Sequence, residues 1–298
     1  MAGKIMTRVD KDTWIDLVKA PHILIGGSTG SGKSYLMKSM LCDVLEKNDG
    51  VNVIVIDPKS VDYQFLVSRG LDRMRFEGDT GEPDVISKVC KTIYGEDSGE
   101  SRRYANFFWA WKGIELIDRQ GIDGGRALKV LRLLCNEMDR RYRLMREYCY
   151  SDWGDYVEDL RGDLRGDLRG DEVEVYSGET AGRAESLAER IVLFVDELTD
   201  LTYWDRDRDR GEYRGLVEKY LVRLAMLGRA AGIHLVLGTQ RPDAQVLSGQ
   251  LRANLPCRIC LRVANKTERR IVLGMSGEGQ EREMVYLSQY SSLGWDLR

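Results

Sequence analysis

Short unbroken apolar runs alternate along this chain with longer stretches whose apolar residues recur every three or four positions. Residues 22–26 (HILIG) form the first run, 51–56 (VNVIVI) the second, 191–195 (IVLFV) the third and 234–237 (HLVL) the fourth. Each is short, mostly β-branched or leucine, and apolar at consecutive positions, which predicts parallel strands covered on both faces. Residues 257–263 read as a later strand. Helical spacing follows the first run in YLMKSMLCDVLEK. It is clearest over 126–148, where Ala127, Leu131, Leu134, Met138, Tyr142 and Met145 fall on one face. Strand and helix in alternation predict an α/β fold, doubly wound about a mainly parallel sheet flanked by helices.

Two stretches, residues 95–125 and 150–190, break the alternation. The second carries the tandem LRGDLRGDLRGD from Leu160 to Asp171. A glycine-spaced, charged repeat cannot build a core, so it is expected as a solvated loop or extended hairpin inserted between core elements. Residues 204–214 (WDRDRDRGEYR) alternate in sign and are expected at the surface. A chain of 298 residues then reads as an N-terminal arm over 1–20 and one large domain over 21–298 that carries both insertions.

Composition narrows the setting. The chain is 43% hydrophobic and 31% charged, as expected of a soluble globular protein. No apolar run approaches the roughly 18 residues that cross a bilayer, and the opening MAGKIMTRVDKDTW lacks the apolar core of a secretory signal. A cytoplasmic location is expected, and recruitment to a membrane complex would go through another protein. The six cysteines (Cys42, Cys90, Cys135, Cys149, Cys257, Cys260) are scattered and read as reduced thiols. Cys257 and Cys260 form a lone CxxC. Zinc would need a second ligand pair, and the two histidines, His22 and His234, each lie beside an apolar strand of their own. The net charge of −3 and pI of about 5.7 leave nucleic-acid contact to a few placed cations.

The residues that carry chemistry begin directly after the first apolar run. Gly27, Ser28, Thr29, Gly30, Ser31, Gly32, Lys33 and Ser34 spell GSTGSGKS, which fits GxxxxGK[ST] between a strand and a helix. In such a loop backbone N–H groups wrap the phosphates of a nucleotide, a helix N-terminus adds its dipole, the lysine reaches the β and γ phosphates, and the serine ligates Mg²⁺. ATP and Mg²⁺ are the expected ligands, with Ser34 on the metal. Asp196 and Glu197 follow the third run: Asp196 is expected to hold the metal and Glu197 to activate the attacking water. A plainer reading is that the acidic pair caps the helix that follows. Gln240, after the fourth run, is expected to sense the γ-phosphate, unless it is an ordinary loop amide.

These segments together resemble the motor of the FtsK/SpoIIIE DNA translocases, within the HerA–FtsK group of ring ATPases. The matching blocks are PHILIGGSTGSGKS, VIDPK, NEMDRRYRLM, VDELTDL and RLAMLGRAAGIHLVLGTQRPDAQVLSGQLRANLPCRICLRV, spread over about residues 21–275. The resemblance implies a RecA-like P-loop ATPase, a hexameric ring around double-stranded DNA, and ATP hydrolysis between neighbouring subunits coupled to movement along the duplex. It makes Lys33, Ser34, Asp196, Glu197 and Gln240 nucleotide-site residues and Arg229 a finger acting on the next subunit. Arg241, Lys266 and Arg270 fall in the loops that face the ring channel in that family, where they would contact DNA. Nothing in the chain corresponds to the family's membrane segment, first motor lobe or winged helix, so a version from a mobile element or phage is expected. The alternatives are a module powering protein secretion and a phage genome-packaging ATPase.

Overall fold

The computed structural model describes residues 4–9, 13–48, 51–59, 62–63, 114–117, 125–164, 190–202 and 210–274. Its centre is a six-stranded sheet in which every neighbouring pair is parallel. In chain order its strands are β3 (His22–Gly26), β4 (Val51–Ile56), β5 (Ile114–Ile117), β6 (Arg190–Val195), β7 (Ile233–Thr239) and β8 (Cys257–Cys260). In space they run β5-β4-β6-β7-β3-β8. The four apolar runs are thus strands, and β3, β6 and β7 are buried at every position, as double-sided cover requires.

Around the sheet lie α1 (Lys33–Lys47), α2 (Arg126–Glu147), α3 (Trp153–Leu164), α4 (Leu198–Thr202), α5 (Arg210–Leu227), α6 (Gly249–Ala253) and α7 (Lys266–Leu273). Ala127, Leu131, Leu134, Met138 and Met145 of α2 are buried, as the periodicity predicts, and the helix packs on α5. One apolar core runs from the sheet into α1, α2 and α5.

The structure departs from the sequence reading in three places. The arm over 1–20 holds two antiparallel strands, β1 (Met6–Arg8) and β2 (Trp14–Asp16); Ile15 of β2 and the flanking Ile5, Val9 and Leu17 belong to the main core. Thr7 Oγ1 donates to Met40 O at 3.1 Å and the backbone N–H of Arg8 to Asp43 at 2.9 Å, fastening the pair to α1. Residues 114–117, inside the first interruption, supply edge strand β5. The second interruption opens with α3, so its start is not a solvated loop. Trp153, Tyr156, Val157 and Leu160 bury against α2 with Met145, and Leu160 belongs to the repeat itself. The remainder of both interruptions, and residues 203–209, lie outside the described residues.

The N-terminal end of α3 is tied to the turn before β7. Arg141, only 1% exposed, pairs with Glu137 at 2.7 Å, donates to Ala231 O at 2.8 Å and lies over the Trp153 ring at 4.6 Å. Trp153 N donates to Ala230 O at 2.9 Å. Burial of the guanidinium is offset by the carboxylate and carbonyl that receive its donors.

Candidate nucleotide site

Because the strands are parallel, all their C-terminal ends lie along one edge of the sheet, and the loops leaving them converge there. β7 sits between β3 and β6. The loop after β3 (residues 27–32), the acidic pair after β6 and Gln240 after β7 are therefore brought side by side. Gly30 and Gly32 have φ of 74° and 88°, left-handed values that let the loop turn back on itself. The loop is anchored from outside by its neighbours: Gly27 N donates to Thr239 O at 3.1 Å and Ser28 N to Arg262 O at 2.8 Å.

Lys33 opens α1 and points across the tip of β7 to β6. Its ammonium is 3.2 Å from Asp196 Oδ1 and also donates to the Asp196 carbonyl. Lys33 is 3% exposed and Asp196 0%, so the pair sits in a medium where each charge needs the other. The crossing is open because β7 has glycine at 238. A Cβ there would stand 2.5 Å from the Asp196 carbonyl oxygen, 2.5 Å from Met37 Sδ and 3.2 Å from Lys33 Nζ. The second carboxylate oxygen, Asp196 Oδ2, is buried without a protein partner, as is Ser31 Oγ in the loop. An orphaned carboxylate oxygen beside a phosphate-type loop fits a cation ligand.

Glu197 is held from two sides. Its carboxylate accepts the Gln240 N–H at 3.1 and 3.0 Å and the Thr199 N–H at 3.2 Å. The Thr199 bond is the capping contact at the start of α4 that the plainer reading of the acidic pair expects. Gln240 closes the circuit, its side-chain oxygen accepting the Thr29 hydroxyl at 2.8 Å. Thr199 and Thr239 hydroxyls meet at 3.2 Å behind it, and Thr239 Oγ1 also accepts the Arg241 N–H at 3.1 Å.

Sequence reasoning passed over three participants. Asp57, at the tip of β4, is fully buried and accepts Lys59 N and Tyr63 N, each at 3.2 Å. Burial pushes its carboxyl above the usual range, with the Asp196 charge adding to the effect. Tyr63 places its hydroxyl 3.4 Å from Asp196 Oδ1. The VIDPK block pointed at Asp57, but nothing marked a tyrosine six positions beyond it. Arg262, after β8, reaches Gly30 O at 3.4 Å, and no motif announced it.

The remaining expected residues lie elsewhere. Arg241, Lys266 and Arg270 are exposed. Arg241 adjoins Gln240, but Lys266 and Arg270 lie on helix α7 and not in a loop. Arg229 is exposed in the turn between α5 and β7, at the opposite edge of the sheet from the nucleotide loop. Burial lowers the pKa of His22, the first residue of β3, to about 4, and the nearby Arg229 charge contributes. Cys257 and Cys260 lie in strand β8, where an odd spacing sends their side chains to opposite faces. Burial pushes the Cys257 thiol up to about 12 and Cys260 to about 11. Among the described residues no helix is long and apolar enough to cross a membrane.

Comparison with known proteins agrees with this layout. The family model "FtsK/SpoIIIE family" matches residues 121–244, and "Helicase HerA, central domain" matches residues 1–88. DNA translocase FtsK of Caldanaerobacter subterraneus subsp. tengcongensis is 30% identical over 264 residues, 88% of this chain and 27% of that protein. FtsK of Borreliella burgdorferi is 28% identical over 278 residues, 92% of this chain and 26% of that protein. The chain thus spans about a quarter of the length of the curated relatives it matches. The pCW3 conjugation coupling protein TcpA, solved as a monomer with ATPγS, superposes with a TM-score of 0.58 at 26% identity, over 92% of this chain and 58% of that one. The cytoplasmic domain of the Thermomonospora curvata type VII secretion ATPase EccC gives 0.55 at 19% identity, over 92% of this chain and 25% of that one, a likeness of fold alone. The phosphate-type loop lies within the HerA-type match and the acidic pair and Gln240 within the FtsK/SpoIIIE match, so the chain carries FtsK/SpoIIIE-family and HerA-type domains on a P-loop ATPase fold.

Proposed function

We propose that this chain is an ATP-driven DNA motor that hydrolyses MgATP at the interfaces of a homo-oligomeric, hexameric ring and moves along double-stranded DNA. The observation that carries the reading is the buried Lys33–Asp196 pair beside a Glu197 carboxylate fixed by two backbone N–H groups, those of Thr199 and Gln240. The FtsK/SpoIIIE-family match and the likeness to a conjugation coupling protein holding ATPγS support DNA as the cargo. They also favour a transfer role in a mobile element.

Each residue then has a task. The loop from Gly27 to Ser34, through those of its N–H groups not already bonded within the protein, and the Lys33 ammonium would hold the β and γ phosphates. Ser34 and Asp196 Oδ2 would hold magnesium, which when bound neutralises charge on the phosphoryl oxygens. Glu197 would orient the attacking water and accept its proton. Gln240, bonded to both Thr29 and Glu197, would tie the position of the base to the state of the phosphate loop. Arg229 is too far from its own loop to act there, which supports its acting on a neighbour. Arg241, Lys266 and Arg270 would contact DNA phosphates.

The test is the ATPase rate of the full chain with and without double-stranded DNA. Stimulation by duplex DNA is expected. A substantial rate indifferent to DNA but raised by polypeptide would favour a secretion motor instead.

A further inference from the structure

The two oxygens of Asp196 stand in unequal surroundings. Oδ1 is met by the Lys33 ammonium at 3.2 Å and the Tyr63 hydroxyl at 3.4 Å, while Oδ2 is buried without a protein partner. Tyr63 is itself fully buried. Asp57 delivers it there: the two carboxylate oxygens bind the N–H groups of Lys59 and Tyr63, folding the chain back beneath β6. Asp196 N donates to Ile56 O at 3.1 Å, so the tips of β4 and β6 are fastened together. A phenol is a hydrogen-bond donor at neutral pH, and this one faces Oδ1.

Lys33 cannot keep this partner and also reach the phosphates of a bound nucleotide. When the ammonium turns away, Oδ1 loses its nearest donor. We propose that Tyr63 is a positioning residue for the metal site: its hydroxyl retains Asp196 Oδ1 after Lys33 has moved to the phosphates, leaving Oδ2 free for the cation. Outer-shell groups of this kind fix the orientation of a ligating carboxylate, and their removal typically lowers metal affinity 10- to 100-fold.

The inference rests on the nucleotide-site reading above, and the test separates the two. The chain and its Tyr63→Phe variant are titrated with a fluorescent ATPγS analogue, in EDTA and across a range of Mg²⁺ concentrations. Phenylalanine keeps the ring and removes only the donor. The analogue should bind the variant in EDTA as it binds wild type, while the Mg²⁺ concentration giving half of the metal-dependent gain rises roughly tenfold, the low end for outer-shell loss because 3.4 Å is a long contact. Tyr63→Met, also without a hydroxyl, should shift the same midpoint should the phenylalanine variant fail to fold. An unshifted midpoint, or an equal loss with and without Mg²⁺, overturns the role and makes Tyr63 a packing residue. A wild-type protein that binds the analogue without any response to Mg²⁺ would instead defeat the nucleotide-site reading.

Discussion

Replacing Arg229 by alanine in one population of subunits and Glu197 by glutamine in another tests whether catalysis is shared between chains. β3 spans five residues, so the Arg229 turn and the nucleotide loop are separated by at least about 13 Å of strand. That is further than an arginine side chain extends. An Arg229 that acts as a finger would therefore have to serve the site of an adjacent subunit, in a head-to-tail ring where one edge of the sheet faces the other. Arginine fingers are worth about 10³ to 10⁵ in rate, so Arg229→Ala rings should have almost no turnover, as should Glu197→Gln rings. In a random equal mixture, half the sites keep the base and half of those face an intact finger. About one quarter of the interfaces, ½ × ½, would then be complete in such a head-to-tail ring. Steady-state phosphate release from the mixture should rise well above both parents, towards a quarter of the wild-type rate. Native mass spectrometry must show that mixed rings have formed. Mixed rings as inactive as their parents would refute the shared site. So would an Arg229→Ala protein with normal turnover, whose arginine then merely complements the dipole of α5, a contribution under about 1 kcal/mol.

Within one subunit, Lys33→Ala should abolish nucleotide binding, whereas Glu197→Gln should bind MgATP and fail to hydrolyse it; equilibrium binding and single-turnover assays distinguish the two. DNA binding should be independent of sequence and weaken with salt, and Arg241→Ala with Arg270→Ala should reduce affinity and flatten the dependence of log K on log salt by about two phosphate contacts. An unchanged slope would remove both residues from the DNA path. Leu160→Ala, at a buried position of α3, should cost about 2 kcal/mol in urea unfolding, near the low end for leucine because its cluster is small; a neutral result would mean that α3 is not packed on α2. His22 stays neutral in the fold down to about pH 4, whereas the unfolded chain takes up its proton near pH 6.5. Its contribution is absent above that pH, and stability is lost progressively as pH falls from about 6.5 to 4. His22→Asn should flatten this part of the urea stability profile relative to wild type, and an identical profile would count against the burial argument.

Much of the fold was readable because parallel strands buried on both faces leave unbroken apolar runs, and β3, β4, β6 and β7 are such runs. The nucleotide loop and acidic pair were readable for a related reason: their chemistry is local, set by neighbours in sequence and a strand on one side. β5 escaped because its four residues, IELI, include a charge and sit within a charged stretch. β1 and β2 are three residues each, too short for any alternation to stand out. α3 was hidden by the repeat that follows it, although Trp153, Tyr156, Val157 and Leu160 have the spacing of one helical face. Tyr63 and Arg262 had no sequence signal, because what recruits them is the strand order. β4 lies beside β6, and β8 beside β3, only once the sheet has formed.

The bare position at Gly238 has a consequence for how the site changes state. Lys33 reaches Asp196 through a passage whose floor is strand backbone and whose width equals one absent methyl group. Exchange of partners by the ammonium needs only torsions along its own four-carbon stem, with no strand displaced and no helix moved. On the proposed reading, binding of nucleotide would reset the charge at Asp196 without requiring a change in the sheet. Gly238→Ala would obstruct the passage between α1 and β6. It should therefore cripple the nucleotide site although it adds no charge and replaces none of the residues assigned to bind or react.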